Sequence, residues 1–141
     1  MAYSTQADIL EQVEENLLIR LTDDANSGAI DPDKVTRAIA DADATINAYC
    51  QGRYTMPLSP VPDKIRQVSV DIAIYNLYSR RGDSAPETRK ERHQAAIRFL
   101  ERVNDGKITL GAVTPARTNT RDTVEIESNG RVFTRDKMGG L

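Results

Sequence analysis

Side chains able to do chemistry are few in this sequence and stand far apart. His93 is the only histidine and Cys50 the only cysteine. Acid–base or nucleophilic catalysis needs such a group beside an orienting partner, whereas His93 falls among Arg89, Lys90, Glu91 and Arg92 on a helix turn expected to face solvent. Cys50 lies four residues after Ile46, on or beside an apolar stripe, where cysteine serves as a small core residue. A single cysteine also excludes an intrachain disulfide and a cysteine zinc cluster. The acidic run Asp23-Asp24-Ala25-Asn26-Ser27-Gly28 has the composition of a calcium loop. Its glycine comes one place early, however, and counting from Asp24 the twelfth position is Val35 and not glutamate. Asp31 and Asp33 are accounted for by the positive end of a helix. Phosphate-loop, dinucleotide and zinc-protease spacings are missing. No catalytic, cofactor-binding or metal-ligating residue is expected, and the chain reads as a non-enzyme.

The elements that would position these residues are mainly helical. Thr5 with Asp8 forms a capping box, and Ile9, Leu10, Val13 and Leu17 follow at helical spacing, so a first helix should run to about Ile19. Asp31 caps a second helix with Pro32 at its first position; Val35, Ala38, Ile39, Ala42, Ile46 and Tyr49 form its stripe, and Arg37, Asp41 and Asp43 are assigned to the opposite face. Prolines 57, 60 and 62 make residues 53–62 an extended connector. A third helix over 63–79 is apolar around most of its circumference, which marks either the central helix or one covered by another subunit. Ser84 with Pro86 and Glu87 signals the start of a fourth helix, with Ala95, Ala96, Phe99, Leu100 and Val103 inward and Asp105-Gly106 as its stop. Beyond it, 123–127 and 131–134 alternate around Asn129-Gly130, a hairpin signal. The expected fold is mainly α: a four-helix bundle-like body over 1–106 and an extended C-terminal arm over 107–141 containing a β-hairpin. An isolated hairpin is marginal in water, so the arm should gain stability from a partner.

The 141 residues suit one domain, and no apolar run approaches the roughly 18 to 20 residues of a membrane span. Formal charge is uneven: residues 1–50 carry −7, 51–106 carry +3 and 107–141 carry +2. Such polarity suits head-to-tail contact between identical copies, acidic side against basic side. Asp41 and Asp43 are the expected acidic partners, and Arg80, Arg81 and Arg89 the basic ones. A helical DNA-binding regulator is the rival class, but Glu87, Glu91 and Glu101 interrupt the arginines and the chain is acidic overall.

In their order and spacing the residues resemble the small head-morphogenesis protein of Mu-like phages and prophages. The likeness rests on Tyr3-Ser4-Thr5 with Asp8-Ile9-Leu10, Leu21-Thr22-Asp23, and Asp41-Ala42-Asp43-Ala44-Thr45-Ile46. It continues through Arg53-Tyr54, Pro57-Leu58, Val61-Pro62, Asp71-Ile72-Ala73 with Tyr75 and Leu77, Glu91-Arg92 with Ala95, Gly106-Lys107, Leu110-Gly111 and Phe133-Thr134-Arg135-Asp136. His93 stands where an aromatic Tyr is expected. The resemblance implies a helical subunit similar to the head-to-tail adaptor, or head-completion, proteins of long-tailed phages, which form twelve-membered rings beneath the portal. It further implies a virion location at the head-to-tail interface, reached through the host cytoplasm, with the portal, a stopper or tail-terminator protein and further copies of itself as partners. DNA would pass through without being read, and no membrane is involved. Val124, Ile126, Val132 and Phe133 are the expected anchors of the arm on the portal or a neighbour. A tail terminator or stopper is the alternative within phage assembly; by the same analogy those are β-rich.

Overall fold

The computed structural model describes residues 2–111 together with 113 and 115. Five helices follow one another: α1 Gln6–Leu10, α2 Glu15–Thr22, α3 Pro32–Cys50, α4 Asp63–Ser79 and α5 Glu87–Asn104. Among the described residues there is no strand, only an isolated antiparallel bridge between Tyr54 and Pro115. The segments 123–127 and 131–134 of the expected hairpin, with Val124, Ile126, Val132 and Phe133, lie outside the described residues.

The expected first helix is two helices. Thr5 and Asp8 form the reciprocal capping box that starts α1, but the chain turns at Gln12 and Val13, whose amides both bond to the Ile9 carbonyl. It restarts with Glu14 as N-cap and Glu15 in the first turn, where a carboxylate is favoured by the helix dipole. This break lets Ile9 on one segment and Leu18 and Leu21 on the other reach the core together, with both segments packed on α3 and α4.

Helix α3 starts as its sequence demands, Asp31 accepting from the Asp33 amide at 3.0 Å with Pro32 at the first helical position. Its buried stripe is Val35, Ala38, Ile39, Ala42, Ile46 and Cys50, and Asp43 is buried with them. Asp43 stands four residues after Ile39 and three before Ile46, spacing that places it on the apolar face and away from Asp41. Helix α4 is the central one, packed by α3, α5 and both N-terminal helices. Ile65, Val68, Val70, Ile72, Ala73, Ile74, Leu77 and Tyr78 are all buried within the single chain, so another subunit is not needed to cover them.

Helix α5 starts at Glu87 with Pro86 as N-cap, and no side chain caps it. The Ser84-based cap fails because it would make Ala85 the first helical residue, and a residue before proline is disfavoured in the α region. Ala96, Leu100 and Val103 face inward as expected, while Ala95 is exposed. At its C-terminus Gly106 takes φ +79° beneath the Arg53 guanidinium, which would lie 2.6 Å from a Cβ there. Arg53 Nε donates to the Asn104 carbonyl at 2.8 Å, so the connector is tied to the end of α5. The connector itself bends, with Met56–Pro57 and Ser59–Pro60 both cis. The packed body continues past 106: the Leu110 amide donates to the Tyr54 hydroxyl at 2.8 Å and both Leu110 and Val113 are buried.

Candidate functional site

Part of the sequence's charge polarity is paired inside one chain. Arg80 grips the Asp24 carboxylate with both terminal nitrogens, at 2.8 and 2.7 Å, and donates to the Leu21 carbonyl at 2.8 Å. Arg81 adds an ion pair to Asp24 at 3.2 Å and a hydrogen bond to the Arg20 carbonyl at 3.1 Å. Lys34 stands 3.9 Å from the same carboxylate. The Arg80 hydrogen bond, helped by the charges of Arg80, Arg81 and Lys34, holds the Asp24 carboxyl down to about 2. This clamp joins the end of α4 to α2 and to the loop leading into α3. Arg80 and Arg81, expected to face a neighbour, therefore already have their carboxylate at home. Arg89, the third expected basic partner, donates to the Gln12 carbonyl at 2.9 Å and pins the α1–α2 turn to α5. Asp41 is exposed and pairs with Arg37 one turn earlier, at 3.5 Å.

Acid titration isolates the clamp. Asp24 has a depressed folded pKa, so its contribution is complete above the ordinary carboxyl range and is lost as pH falls through about 2. Asp24→Asn should be less stable than the parent at pH 7, and the difference should shrink toward pH 2; denaturation midpoints across that range check it.

Asp23, beside it, closes its own loop: its carboxylate accepts from the amides of Ser27 at 2.8 Å and Gly28 at 2.7 Å. These bonds lower its pKa and account for the acidic run without an ion. No cluster of three or more metal-ligating side chains occurs among the described residues. Cys50 is fully buried, and burial pushes its thiol up to about 11, far from a reactive thiolate. His93 is half-buried and not on an open turn: its ring stacks on Tyr75 with centroids 4.0 Å apart and planes 15° from parallel. Burial lowers its pKa, which favours the neutral ring in this stack.

The buried polar centre lies at the N-terminus, and sequence reasoning missed it. Asp43 Oδ1 accepts from the Tyr3 amide at 3.3 Å and from the Ser69 hydroxyl at 3.2 Å, and Ser69 lies 2.8 Å from the Ser4 hydroxyl. The Tyr3 hydroxyl donates to Asn47 Oδ1 and accepts from the Leu58 amide at 3.0 Å. Six residues from four parts of the chain thus fix the N-terminal segment to α3, α4 and the connector. The available signal was Asp43 on an apolar stripe, since a buried carboxylate requires donors. Tyr3→Phe would leave the buried Leu58 amide unpaired and should cost about 1–3 kcal/mol, read as a shift in the urea midpoint.

Beside this centre an open groove of about 560 Å³ runs between the N-terminal segment and α3. Ser4, Thr5 and Gln6 form one wall, Thr36, Ala40, Ala44 and Asn47 the other, and Val35, Ile39 and Asp43 the floor. Asp43 is the only ionisable residue among those that line it.

Set together, these features describe a helical body with its catalytic-type groups held by packing and a groove beside α3 floored in part by Asp43. A family model described as Bacteriophage Mu, Gp36 matches residues 3–128. The chain belongs to the phage Mu gp36 family. Among its relatives are the Mu-like prophage FluMu protein gp36 of Haemophilus influenzae, 30% identical over 140 residues that cover 99% of this chain and 97% of the relative. Gene product J of Escherichia phage Mu is likewise 30% identical, over 143 residues and 99% of each chain. The match takes in the N-terminal polar centre, the Asp24 clamp and all five helices, so the gp36 family relationship covers the whole packed body. Among the described residues no helix is long and apolar enough to cross a membrane.

Proposed function

We propose that this chain is a structural, non-catalytic subunit of the head-to-tail junction, forming a ring beneath the portal, of twelve copies by analogy with adaptor proteins, through which DNA passes. The carrying observation is the match to a phage Mu family across nearly the whole chain. The geometry supports the same reading, because Cys50, His93 and the Asp23–Asp24 loop are each occupied in holding the body together. Ring contacts then draw on what the clamp leaves over, since Arg80 and Arg81 are engaged with Asp24. The arm carries the docking, with Val124, Ile126, Val132 and Phe133 as anchors on the portal or the next copy, and a stopper or tail-terminator protein follows below. DNA slides through because an acidic lumen repels phosphate, whereas a basic one would retain it.

Imaging of purified particles tests this. A ring of density of this subunit's size between portal and tail, with the chain present in finished particles by mass spectrometry, is the expected result. Particles that carry tails and lack the chain would sink the reading.

A further inference from the structure

The groove beside α3 combines a recess, apolar floor residues and a carboxylate with one oxygen unpartnered among the described residues. Asp43 is nine-tenths buried, at 9% exposure, and both hydrogen bonds it receives from the described residues fall on Oδ1. Oδ2 lacks a partner among those residues, and no basic side chain lines the groove. Burial holds the Asp43 carboxyl above its ordinary range, against the pull of the Tyr3 and Ser69 bonds and of the positive charge at the chain's own N-terminus. A recessed carboxylate with one oxygen unpartnered among the described residues can take a further donor, and a guanidinium supplies one together with positive charge.

The source of that cation is narrowed by shape and charge. Arg98 and Arg102 lie on the exposed surface of α5 with Glu101 and Asp105 beside them, and a convex helix face of mixed charge does not enter a recess. The C-terminal arm offers Arg131-Val132-Phe133-Thr134-Arg135, two guanidinium groups about an apolar pair with no acidic residue between them. It begins sixteen residues beyond Pro115, a reach of up to about 50 Å at roughly 3.3 Å per residue. That is enough to leave the subunit that carries it.

We infer that the groove between residues 4–6 and α3 is the receptor for the Arg131–Arg135 segment of a second copy, with a guanidinium donating to Asp43 Oδ2 and Val132 and Phe133 covering Val35, Ile39 and Ala40. This rests on the ring reading above, and it names the surface by which one subunit holds the next. Asp43 then has two tasks, an internal one through Oδ1 and an intersubunit one through Oδ2.

The test uses the full chain with Phe133 replaced by a photo-crosslinking benzoyl-phenylalanine, prepared as equal parts of ¹⁴N- and ¹⁵N-labelled protein. Crosslinks to peptides containing Gln6 or residues 36–47 in mixed-isotope products are expected. Crosslinks that fall elsewhere on the body, or only within one chain, overturn the inference, as does a protein that stays monomeric at every concentration. Asp43→Asn gives an independent check by sedimentation. Self-association should weaken by about tenfold or more, the scale of a lost charge-assisted bond, while the melting temperature does not fall, because the neutral amide retains an acceptor oxygen and removes a buried charge. A variant that melts lower yet associates as before would show Asp43 to be purely internal. Particles showing the ring while crosslinks miss the groove would defeat this inference alone; absence of the ring would defeat the broader reading.

Discussion

Ile72→Ala and Ile74→Ala should each lower the stability of the isolated subunit by about 2–5 kcal/mol, the range for large-to-small changes in a packed core. Two positions apart on a helix they face nearly opposite directions, yet both are buried, Ile72 at 2% exposure and Ile74 at 0%. A helix buried on opposite faces in one chain is covered by its own neighbours, here α3 and α5 together with α1 and α2. Urea denaturation at two protein concentrations an order of magnitude apart reads the result. Both midpoints should drop equally at the two concentrations. If the loss for Ile74→Ala appeared only at the higher concentration, part of α4 would be covered by a second copy, and the expectation that an adjacent subunit hides this helix would return.

The second large effect concerns the arm. A chain ending after Pro115 should keep the fold of the body and fail to join heads to tails, so that infectious particles fall by orders of magnitude while filled heads accumulate. The point of truncation matters. A chain ending after Gly111 would also lose Val113, which is buried, and the bridge of Pro115 to Tyr54 with its bond to the Thr55 hydroxyl at 3.1 Å. Defects from that shorter chain would mix instability with lost docking. Circular dichroism of the longer truncation should match the parent at 222 nm apart from the missing residues, and a complementation assay with head and tail counts completes the measurement. Heads that join tails normally with the 1–115 chain would remove the arm from the docking role and leave the groove without its occupant.

The charged residues show where sequence reading reached its limit. The split of −7 against +3 between the first two stretches is real, and one acidic residue of the first is paired with two basic residues of the second. That pairing lies within the same chain, Asp24 of the acidic stretch taking Arg80 and Arg81 of the basic one. Formal charge along a sequence has no information on which pairs come within a few ångströms, because that depends on how α2 and α4 lie against each other. The Asp23 carboxylate differs, since its loop closure onto Ser27 and Gly28 involves residues at most five apart.

What the sequence by itself determined is the local part of the structure. Asp31 with Pro32 starts α3, Thr5 with Asp8 starts α1, and the limits of α4 at 63 and 79 follow from prolines before it and a polar turn after it. Caps, prolines and apolar periodicity act over a single turn, so they are legible in order along the chain. Only the tertiary structure decided the break after Leu10, the burial of Asp43 with Tyr3, Ser4 and Ser69, the stacking of His93 on Tyr75, and the recess beside α3. Each of these joins residues 18 to 65 positions apart, or answers to packing against such residues. Their energies exist only once the helices have met.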